Sequence, residues 1–194
     1  MSTQPVPRMT FEQYLEIERK AEFRSEFLDG QVFAMADPSA DHEWIVASVA
    51  TELGIQLKGT PCGVRIGKTR IYAVKYNIGT YPDIVVTCGP DVTLENDRDN
   101  LTDATLIVEV LSPTTQNYDR SQKFEYYRSL PSFSEYLLVA QKTMRAEHHV
   151  KQSDGSWLWR EYTEPDTRLD LQSIGCHLVL KDLYARVEFE GSTA

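Results

Sequence analysis

The sequence predicts an α/β fold in which a mixed β-sheet is flanked by helices, with additional β-hairpins toward the C-terminus. Two nearly continuous β-branched runs, Asp83–Cys88 and Thr105–Leu111, are typical of strands buried on both faces of a sheet. A helical pattern and a further apolar run, Glu135–Ala140, follow the second of them. This order of central strands, crossover helix and strand indicates a mixed sheet covered by helices.

The N-terminal segment predicts a helix and then a turn into a strand. Thr10 precedes the run FEQYLEIERK, and Gln13 lies three residues after it, which is the capping-box pattern of a helix start. The Asp29-Gly30 pair then indicates a tight turn into a strand at QVFAMA.

A second helix is expected from Ser39 to about Lys58, where Gly59 ends it. Strands are expected next, around Val64–Ile66 and Arg70–Tyr76. The helix from Ser39 is predicted because five apolar residues recur at helical spacing, namely Ile45, Val46, Val49, Leu53 and Leu57.

The second half of the chain predicts a loop, a helix and hairpins. The polar stretch GPDVTLENDRDNLTD between the two buried runs is expected to be a loop. A helix is expected from about Asn117 to Ser129, and Asp154-Gly155 indicates a hairpin turn between HHVKQ and WLWREY. Because no repeat or linker divides the chain, we expect one domain over residues 1–194.

Composition is that of an ordinary globular protein, with 41% hydrophobic and 25% charged residues. No apolar run approaches the roughly 20 residues of a membrane-spanning helix, and the start MSTQPVPRMT lacks the apolar segment of a secretory signal. Cys62, Cys88 and Cys176 are odd in number and far apart, which argues against a disulfide framework and a CxxC zinc site. We therefore expect a protein of the reducing cytoplasm.

The net charge of −9 is not what nucleic-acid binding alone would select, because neutralising phosphates requires Lys and Arg. The charge does not exclude a protein that acts on nucleic acid through a carboxylate metal site, since bound cations offset the negative charge of such a site.

Glu109 lies inside the apolar run LIVEVL, where an ionised carboxylate is costly unless it is paired or bound to metal. Asp83 is likewise the only acid of its run and directly follows Pro82. If the two strands are adjacent, the carboxylates converge at one sheet edge and suit magnesium. The alternatives are a Glu109 that faces solvent or pairs with arginine, and an Asp83 that caps a turn.

Lys123 lies on the helix predicted after the second buried run. From there it could reach back to the strand end, orient an attacking water and offset transition-state charge. The alternative is an exposed i,i+4 salt bridge with Asp119, which contributes little. Phe124, Tyr127 and Leu130 are expected to form the core face of this helix.

Four sequence blocks together resemble one bacterial protein family. YPDIVV and LIVEVLSPTTQNYDRSQKFEYYRSLPSFSEYLLV, with SEFLDGQVFAM and PSADHEWIV nearer the start, resemble the Uma-type family of restriction endonucleases. That family belongs to the PD-(D/E)XK nuclease superfamily. The resemblance covers nearly the whole chain and implies a restriction-endonuclease-like fold.

The resemblance also implies site residues. Asp83 matches the Asp of the PD element and Glu109 the acid of the (D/E)XK element, both as metal ligands. The superfamily has a lysine two residues after that acid, where this chain has Leu111, and the resemblance implies that Lys123 on the following helix replaces it. Since residues 109 and 111 share one strand face, a helix packed over that face could place the ammonium nearby.

Two further ligands are implied in the same way. Glu26, expected on the first helix, matches an acid that completes the metal shell, and its alternative is a surface glutamate. The backbone carbonyl of Val110 is also an expected ligand. His42, at a helix start, is not assigned to the catalytic set, and the adjacent His148 and His149 face opposite ways on a strand, which argues against joint metal binding.

These features predict a Mg²⁺- or Mn²⁺-dependent endonuclease that hydrolyses DNA, with Asp83, Glu109 and Lys123 as catalytic residues. The resemblance implies a homodimer, in which basic side chains of both subunits would line one cleft. One alternative is an inactive nucleic-acid- or protein-binding module of the same fold, which Leu111 and the acidic balance favour. Another is a hydrolase of a small phosphodiester. The candidate basic residues are Arg65, Lys68, Arg70 and Lys75.

Overall fold

The computed structural model describes residues 8–95 and 97–189, and it confirms the predicted α/β class. The strands are β1 (Ser25–Leu28), β2 (Gln31–Ala34), β3 (Cys62–Ile66), β4 (Arg70–Ala73), β5 (Ile78–Thr80), β6 (Ile84–Cys88), β7 (Thr93–Leu94), β8 (Asp97–Leu101), β9 (Leu106–Leu111), β10 (Glu135–Ala140), β11 (Ala146–Lys151), β12 (Trp157–Tyr162), β13 (Arg168–Leu171) and β14 (Cys176–Val179). The α-helices are α1 (Phe11–Glu18), α2 (Ala40–Gln56), α3 (Gln116–Tyr118), α4 (Phe124–Tyr127) and α5 (Leu180–Leu183).

Two six-stranded mixed sheets and a small two-stranded sheet make up the β-structure of the described residues. The central sheet has the order β12-β11-β10-β9-β6-β3, in which only β9 and β10 are parallel. The second sheet has the order β2-β1-β5-β4-β8-β7, with β4 and β8 parallel. The predicted crossover helix connects the parallel strands β9 and β10, so the mixed-sheet prediction is confirmed.

Strand β9 lies in the middle of the central sheet, and all six of its residues are buried. Leu106, Val108 and Val110 belong to the core that also contains the apolar side of α2. Ile107 and Leu111 belong to a second core on the other face. Both faces of β9 are therefore covered, as its continuous apolar run predicted.

The crossover helix covers the second of these cores. It consists of α3, a π-helical turn at Asp119–Lys123, and α4, and we call this segment the Lys123 helix. Tyr127 and Leu130 are buried in the core, with Phe124 packed partly buried against it, so the predicted core face is confirmed. The π turn differs from the regular helix expected, and turns of this kind are frequent at functional sites.

Helix α1 packs on the second sheet through an aromatic cluster. The rings of Phe11 and Tyr14 contact that of Phe27 on β1. The capping box is present, with the Thr10 hydroxyl accepting from the Gln13 backbone N–H and the Gln13 side chain accepting from that of Thr10. Because Phe27 faces α1, the neighbouring residues of β1 face the opposite side of the sheet.

The structure differs from two of the local predictions. The polar stretch expected to be a loop contains β7 and β8, because backbone pairing with β4 satisfies its N–H and C=O groups without requiring an apolar pattern. The strand expected over Arg70–Tyr76 ends at Ala73 and continues as a 3₁₀ turn, after which Asn77 adopts a left-handed conformation with φ of 56°.

The prediction that argued against disulfides is wrong for one pair. Cys62 on β3 and Cys88 on β6 are direct partners in the antiparallel pairing, with Cα atoms 3.9 Å apart, and they form a disulfide. Their separation of 26 residues in sequence gave no indication of this register. Cys176 is a buried free cysteine.

Among residues 8–95 and 97–189, no helix combines the length and apolarity that crossing a bilayer requires. The sequence-based expectation about a secretory signal falls largely on residues 1–7, which lie outside the described residues.

Candidate active site

Asp83 and Glu109 meet at one end of the central sheet, as the sequence predicted for adjacent strands. Asp83 immediately precedes β6, and Glu109 lies on β9, to which β6 pairs. The Asp83 carboxylate accepts a hydrogen bond from the Val110 backbone N–H at 2.7 Å, and the Asp83 N–H donates to Glu109 Oε2 at 3.4 Å. Each carboxylate therefore accepts a hydrogen bond from the neighbouring strand segment, Asp83 from the residue after Glu109 and Glu109 from the backbone of Asp83.

Lys123 is brought to these acids by the π turn of the Lys123 helix. Its Nζ lies 3.1 Å from Glu109 Oε1, 3.1 Å from Asp119 Oδ1 and 3.5 Å from Glu26 Oε1. The side chain is buried. The i,i+4 salt bridge with Asp119 considered from the sequence thus exists, but it is buried and forms part of the same cluster as the contact with Glu109.

Glu26 completes the cluster from the second sheet. It lies on β1, so the expectation that it lies on the first helix is wrong. Its buried carboxylate accepts from the Tyr81 backbone N–H at 3.3 Å. The Asp29-Gly30 turn could have placed it, because a tight turn before one strand indicates that the residues preceding the turn form its antiparallel partner.

Two residues that sequence reasoning left out contact the acids. The Tyr127 hydroxyl donates to Glu109 Oε1 at 2.9 Å and lies 3.0 Å from the Thr80 hydroxyl. His42 Nε2, on the first turn of α2, lies 3.2 Å from Asp83 Oδ2. In the sequence, nothing beyond its place on the predicted core face distinguished Tyr127. His42 was easier to suspect, because a polar residue at a helix start, as in ADHEW, can lie at the end of a sheet.

The His148-His149 pair is divided between the two faces of β11, as predicted. His148 is buried, with Nε2 3.0 Å from Glu135 Oε2. The His149 ring contacts the rings of Phe124 and Tyr136 on the other side of the sheet. The two imidazoles therefore do not face a common ligand.

Burial and neighbouring charge shift the proton equilibria of the site. Burial, together with the carboxylates of Asp119, Asp83 and Glu26, raises the pKa of Glu109 well above its usual range, although the Lys123 ammonium opposes this shift. Burial alone would lower the pKa of Lys123, but the surrounding carboxylates, with Glu109 foremost, raise it well above its usual range. The ammonium is therefore held in its charged form.

His42 is affected in the same way by its acidic neighbour. Burial alone would lower the pKa of its imidazole, but the hydrogen bond to the Asp83 carboxylate and the charge of that group raise it. The structure thus places a second potential cation beside the acids, next to Asp83 rather than Glu109.

The donor set fits a hard divalent cation. Three carboxylates, those of Glu26, Glu109 and Asp119, contact one ammonium group, and Asp83 lies beside Glu109, so the acids of the cluster outnumber its lysine. The buried Asp119 Oδ1 receives no well-directed hydrogen bond. Oxygen ligands of this kind are those that Mg²⁺ and Mn²⁺ prefer. Within the described residues, no three His, Cys, Asp or Glu side chains already surround one point at metal-ligand spacing.

The acids open into a cavity of about 620 Å³, lined by Glu26, His42, Asp83, Glu109, Val110 and Lys123 among others. None of the four basic residues expected to border the site lines it. Arg70 is instead buried, donating to Asn100 and to the Tyr81 hydroxyl, and Arg65 pairs with Asp91. Arg65 on β3 and Arg70 on β4 thus point to partners outside the cavity.

The chain is similar to one protein family over most of its length. Residues 11–181 match the model of the Uma2 family, described as "Putative restriction endonuclease". Two uncharacterized proteins of Synechocystis sp. are similar to the chain. The protein slr1290 is 35% identical over 188 residues, which covers 95% of this chain and 96% of that protein, and sll1609 is 31% identical over 153 residues, covering 79% and 86%.

A solved structure shows the same fold. The crystal structure of a "putative nuclease belonging to DUF820" from Anabaena variabilis superposes with a TM-score of 0.75 at 18% identity, covering 91% of this chain and 98% of that one. Because the family model spans most of the sequence and the fold agrees, the chain belongs to the Uma2 family and has a restriction-endonuclease-like fold.

Proposed function

We propose that the protein is a Mg²⁺- or Mn²⁺-dependent endonuclease that hydrolyses phosphodiester bonds of DNA. The observation that carries the proposal is the contact of Lys123 with Glu109 beside Asp83, because it supplies the ammonium that the sequence lacks at Leu111. Residue 111 faces the core under the Lys123 helix, on the same strand face as Glu109. The helix therefore delivers the missing charge to the expected side of the strand.

Each residue has a role in this proposal. Asp83, Glu109 and the carbonyl of Val110 would hold the cation, with Glu26 completing the shell. When bound, the cation supplies charge stabilisation to the phosphoryl group and acidifies water. Lys123 orients the nucleophilic water and offsets charge on the phosphate.

Tyr127 and His42 position the acids. The Tyr127 hydroxyl fixes the Glu109 carboxylate through a hydrogen bond, and His42 holds one oxygen of Asp83. Both contacts restrict side-chain rotation, so that the acids are oriented before substrate arrives.

Two observations favour a second candidate function, a nucleic-acid-binding module that does not cleave. The acids of the described residues are not yet grouped around one metal position, and Lys123 already neutralises part of their charge. Such a module would bind DNA without hydrolysing it.

Calorimetry with Mg²⁺ and Mn²⁺ tests the proposal, using the wild type, Asp83→Asn and Glu109→Gln, first alone and then with DNA. We expect binding by the wild type and at least tenfold weaker binding by both variants, since each loses a ligand charge. Asp166→Asn is the matched control, because this exposed acid pairs with Lys181 away from the site. Single-stranded circular DNA and supercoiled DNA are then each incubated with the same proteins and Lys123→Met. Binding without cleavage in any metal would contradict the endonuclease and favour the binding module.

We also propose that the active unit is a homodimer formed by a single-domain chain. Sedimentation velocity over a range of protein concentrations measures this directly. A monomer at all concentrations, with and without DNA, would contradict the dimer while leaving the metal site untouched.

A further inference from the structure

Two of the aromatic rings that line the cavity containing the acids are exposed to solvent. Phe23 is 65% exposed and Phe33 is 48% exposed, and both line the same cavity as Asp83 and Glu109. Aromatic side chains bury large areas in cores and interfaces, so two exposed rings that line one polar cavity are a candidate contact for a ligand.

The strand pairing fixes where one of these rings lies. Phe33 on β2 is the direct antiparallel partner of Glu26 on β1, so their side chains project from the same face of the sheet. Glu26 contacts Lys123 on that face. Val32, the neighbour of Phe33, projects from the opposite face and provides a matched control.

The charges of the cavity disfavour a duplex. Arg24 and Lys123 are the lysine and arginine residues that line it within the described ranges. Lys123 is already surrounded by carboxylates. A duplex presents the phosphates of two strands and requires many cations, whereas a single strand has a lower charge density. Its unpaired bases are neutral and can stack on an aromatic face. The carboxylates that line the cavity are Glu22, Glu26, Asp37, Asp83, Glu109 and Asp119.

We propose that Phe23 and Phe33 form a stacking platform for unpaired bases, so that the substrate is a single-stranded segment of DNA whose phosphate lies at the acids. This inference deepens the proposed function and rests on it for the position of the phosphate. The stacking itself does not require cleavage. The platform is therefore testable by binding alone.

The competing occupant of the two rings is a second copy of the chain, which would cover them in a dimer. The two occupants can be distinguished, because a dimer contact depends on protein concentration whereas stacking depends on whether the oligonucleotide is single- or double-stranded. A measurement that varies each independently separates them.

The experiment uses the full chain and a short oligonucleotide containing 2-aminopurine, as a single strand and as a duplex of the same sequence, in Ca²⁺ and in EDTA. The proteins are the wild type, Phe23→Ala, Phe33→Ala, Phe33→Trp and the control Val32→Ala. Both phenylalanines are exposed, and thermal unfolding of each variant verifies that the fold is kept.

The wild type is expected to bind the single strand at least tenfold more tightly than the duplex and to change the 2-aminopurine fluorescence. Each Phe→Ala variant should weaken single-strand binding about tenfold without changing duplex binding, because one base stack is lost. Phe33→Trp should bind the single strand as tightly as the wild type, because it keeps an aromatic ring, and Val32→Ala should also match the wild type.

Three results would overturn the platform. They are equal or tighter duplex binding, alanine variants that bind the single strand like the wild type, and no nucleic-acid binding by any protein. Alanine variants that dissociate a dimer yet keep single-strand binding would assign the rings to the self-interface. Failure of the endonuclease proposal has a separate signature, namely stacking-dependent binding without cleavage in Mg²⁺ or Mn²⁺.

Discussion

The Lys123 ammonium lies 3.1 Å from the Glu109 carboxylate, and both side chains are buried between the crossover helix and the central strand. Glu26 and Asp119 contact the same ammonium, so one cation is shared by three acids. We therefore expect Lys123 to stabilise the fold as well as to take part in the proposed chemistry, and an added divalent cation should compensate for its loss in the first of these roles.

Replacing Lys123 with methionine is expected to reduce the free energy of unfolding by about 3 kcal/mol or more, because it leaves buried carboxylates without a counter-charge. Urea unfolding measures the loss. Mg²⁺ should stabilise Lys123→Met more than the wild type, since a cation can then replace the missing ammonium. Lys142→Met is the control, because Lys142 forms an exposed pair with Asp41 and its loss should change stability by less than about 0.5 kcal/mol. Equal stability of Lys123→Met and the wild type would contradict the shared-cation arrangement.

Glu109→Gln and Tyr127→Phe should separate the effect of the Glu109 charge from the effect of the hydrogen bond that orients its side chain. The amide keeps an acceptor for the Tyr127 hydroxyl but removes the charge, so metal affinity should fall at least tenfold while stability without metal changes little. Tyr127→Phe keeps the charge and removes a hydrogen bond, so it should cost about 1 kcal/mol of stability and retain metal binding. Calorimetry and urea unfolding of both variants provide the comparison. Equal metal affinity in Glu109→Gln and the wild type would exclude Glu109 as a ligand.

The Cys62–Cys88 disulfide should stabilise the oxidised protein. The bond closes a segment of 26 residues, for which loop-closure entropy predicts about 3.5 kcal/mol. Urea unfolding with and without dithiothreitol measures this difference, and thiol counting by mass spectrometry verifies the redox state. The double variant Cys62→Ser/Cys88→Ser should not respond to the reductant. If the wild type carries three free thiols after purification without reductant, the bond does not form in solution.

Glu147 should make stability depend on pH through its contact with the Lys123 helix. Burial alone would raise the pKa of this carboxyl, but the hydrogen bonds and charge of Arg120, with the charge of Arg145, lower it. Because folding lowers this pKa, the contribution is complete above the usual pKa of a glutamic acid. It is lost as the pH falls through the lowered value.

Glu147→Gln should therefore cost about 1–2 kcal/mol at neutral pH, and the difference from the wild type should shrink in acid. Urea unfolding at several pH values from neutral to acidic measures it. Glu161→Gln is the control, since Glu161 forms a more exposed pair with Arg145 and should have a smaller effect. A difference that stays constant with pH would show that the charge of Glu147 is not responsible.

Several parts of the site were predictable because they depend on local pattern. The apolar runs around Asp83 and Glu109 predicted two buried strands, each with a single acid, and the structure pairs these strands. The face shared by residues 109 and 111 predicted where a following helix could place Lys123, and the contact is present. The catalytic roles of these residues remain predictions.

Other parts depended on pairing between distant segments. Glu26 was placed on the wrong element, His42 and Tyr127 were left out, and the Cys62–Cys88 bond was not expected. The Asp29-Gly30 turn could have placed Glu26 on β1, but its contact with Lys123, like the other contacts, joins elements whose packing or register no short stretch of sequence encodes.

Local sequence thus determined the fold class, the helix start at Thr10, the Asp29-Gly30 turn and the two acid-bearing strands, because periodicity and capping act over a few residues. Only the tertiary structure decided which side chains share the Lys123 ammonium and which rings border the acids. The physical reason is that burial, charge compensation and strand register are properties of contacts between segments. These contacts are established when the two sheets and the crossover helix pack together.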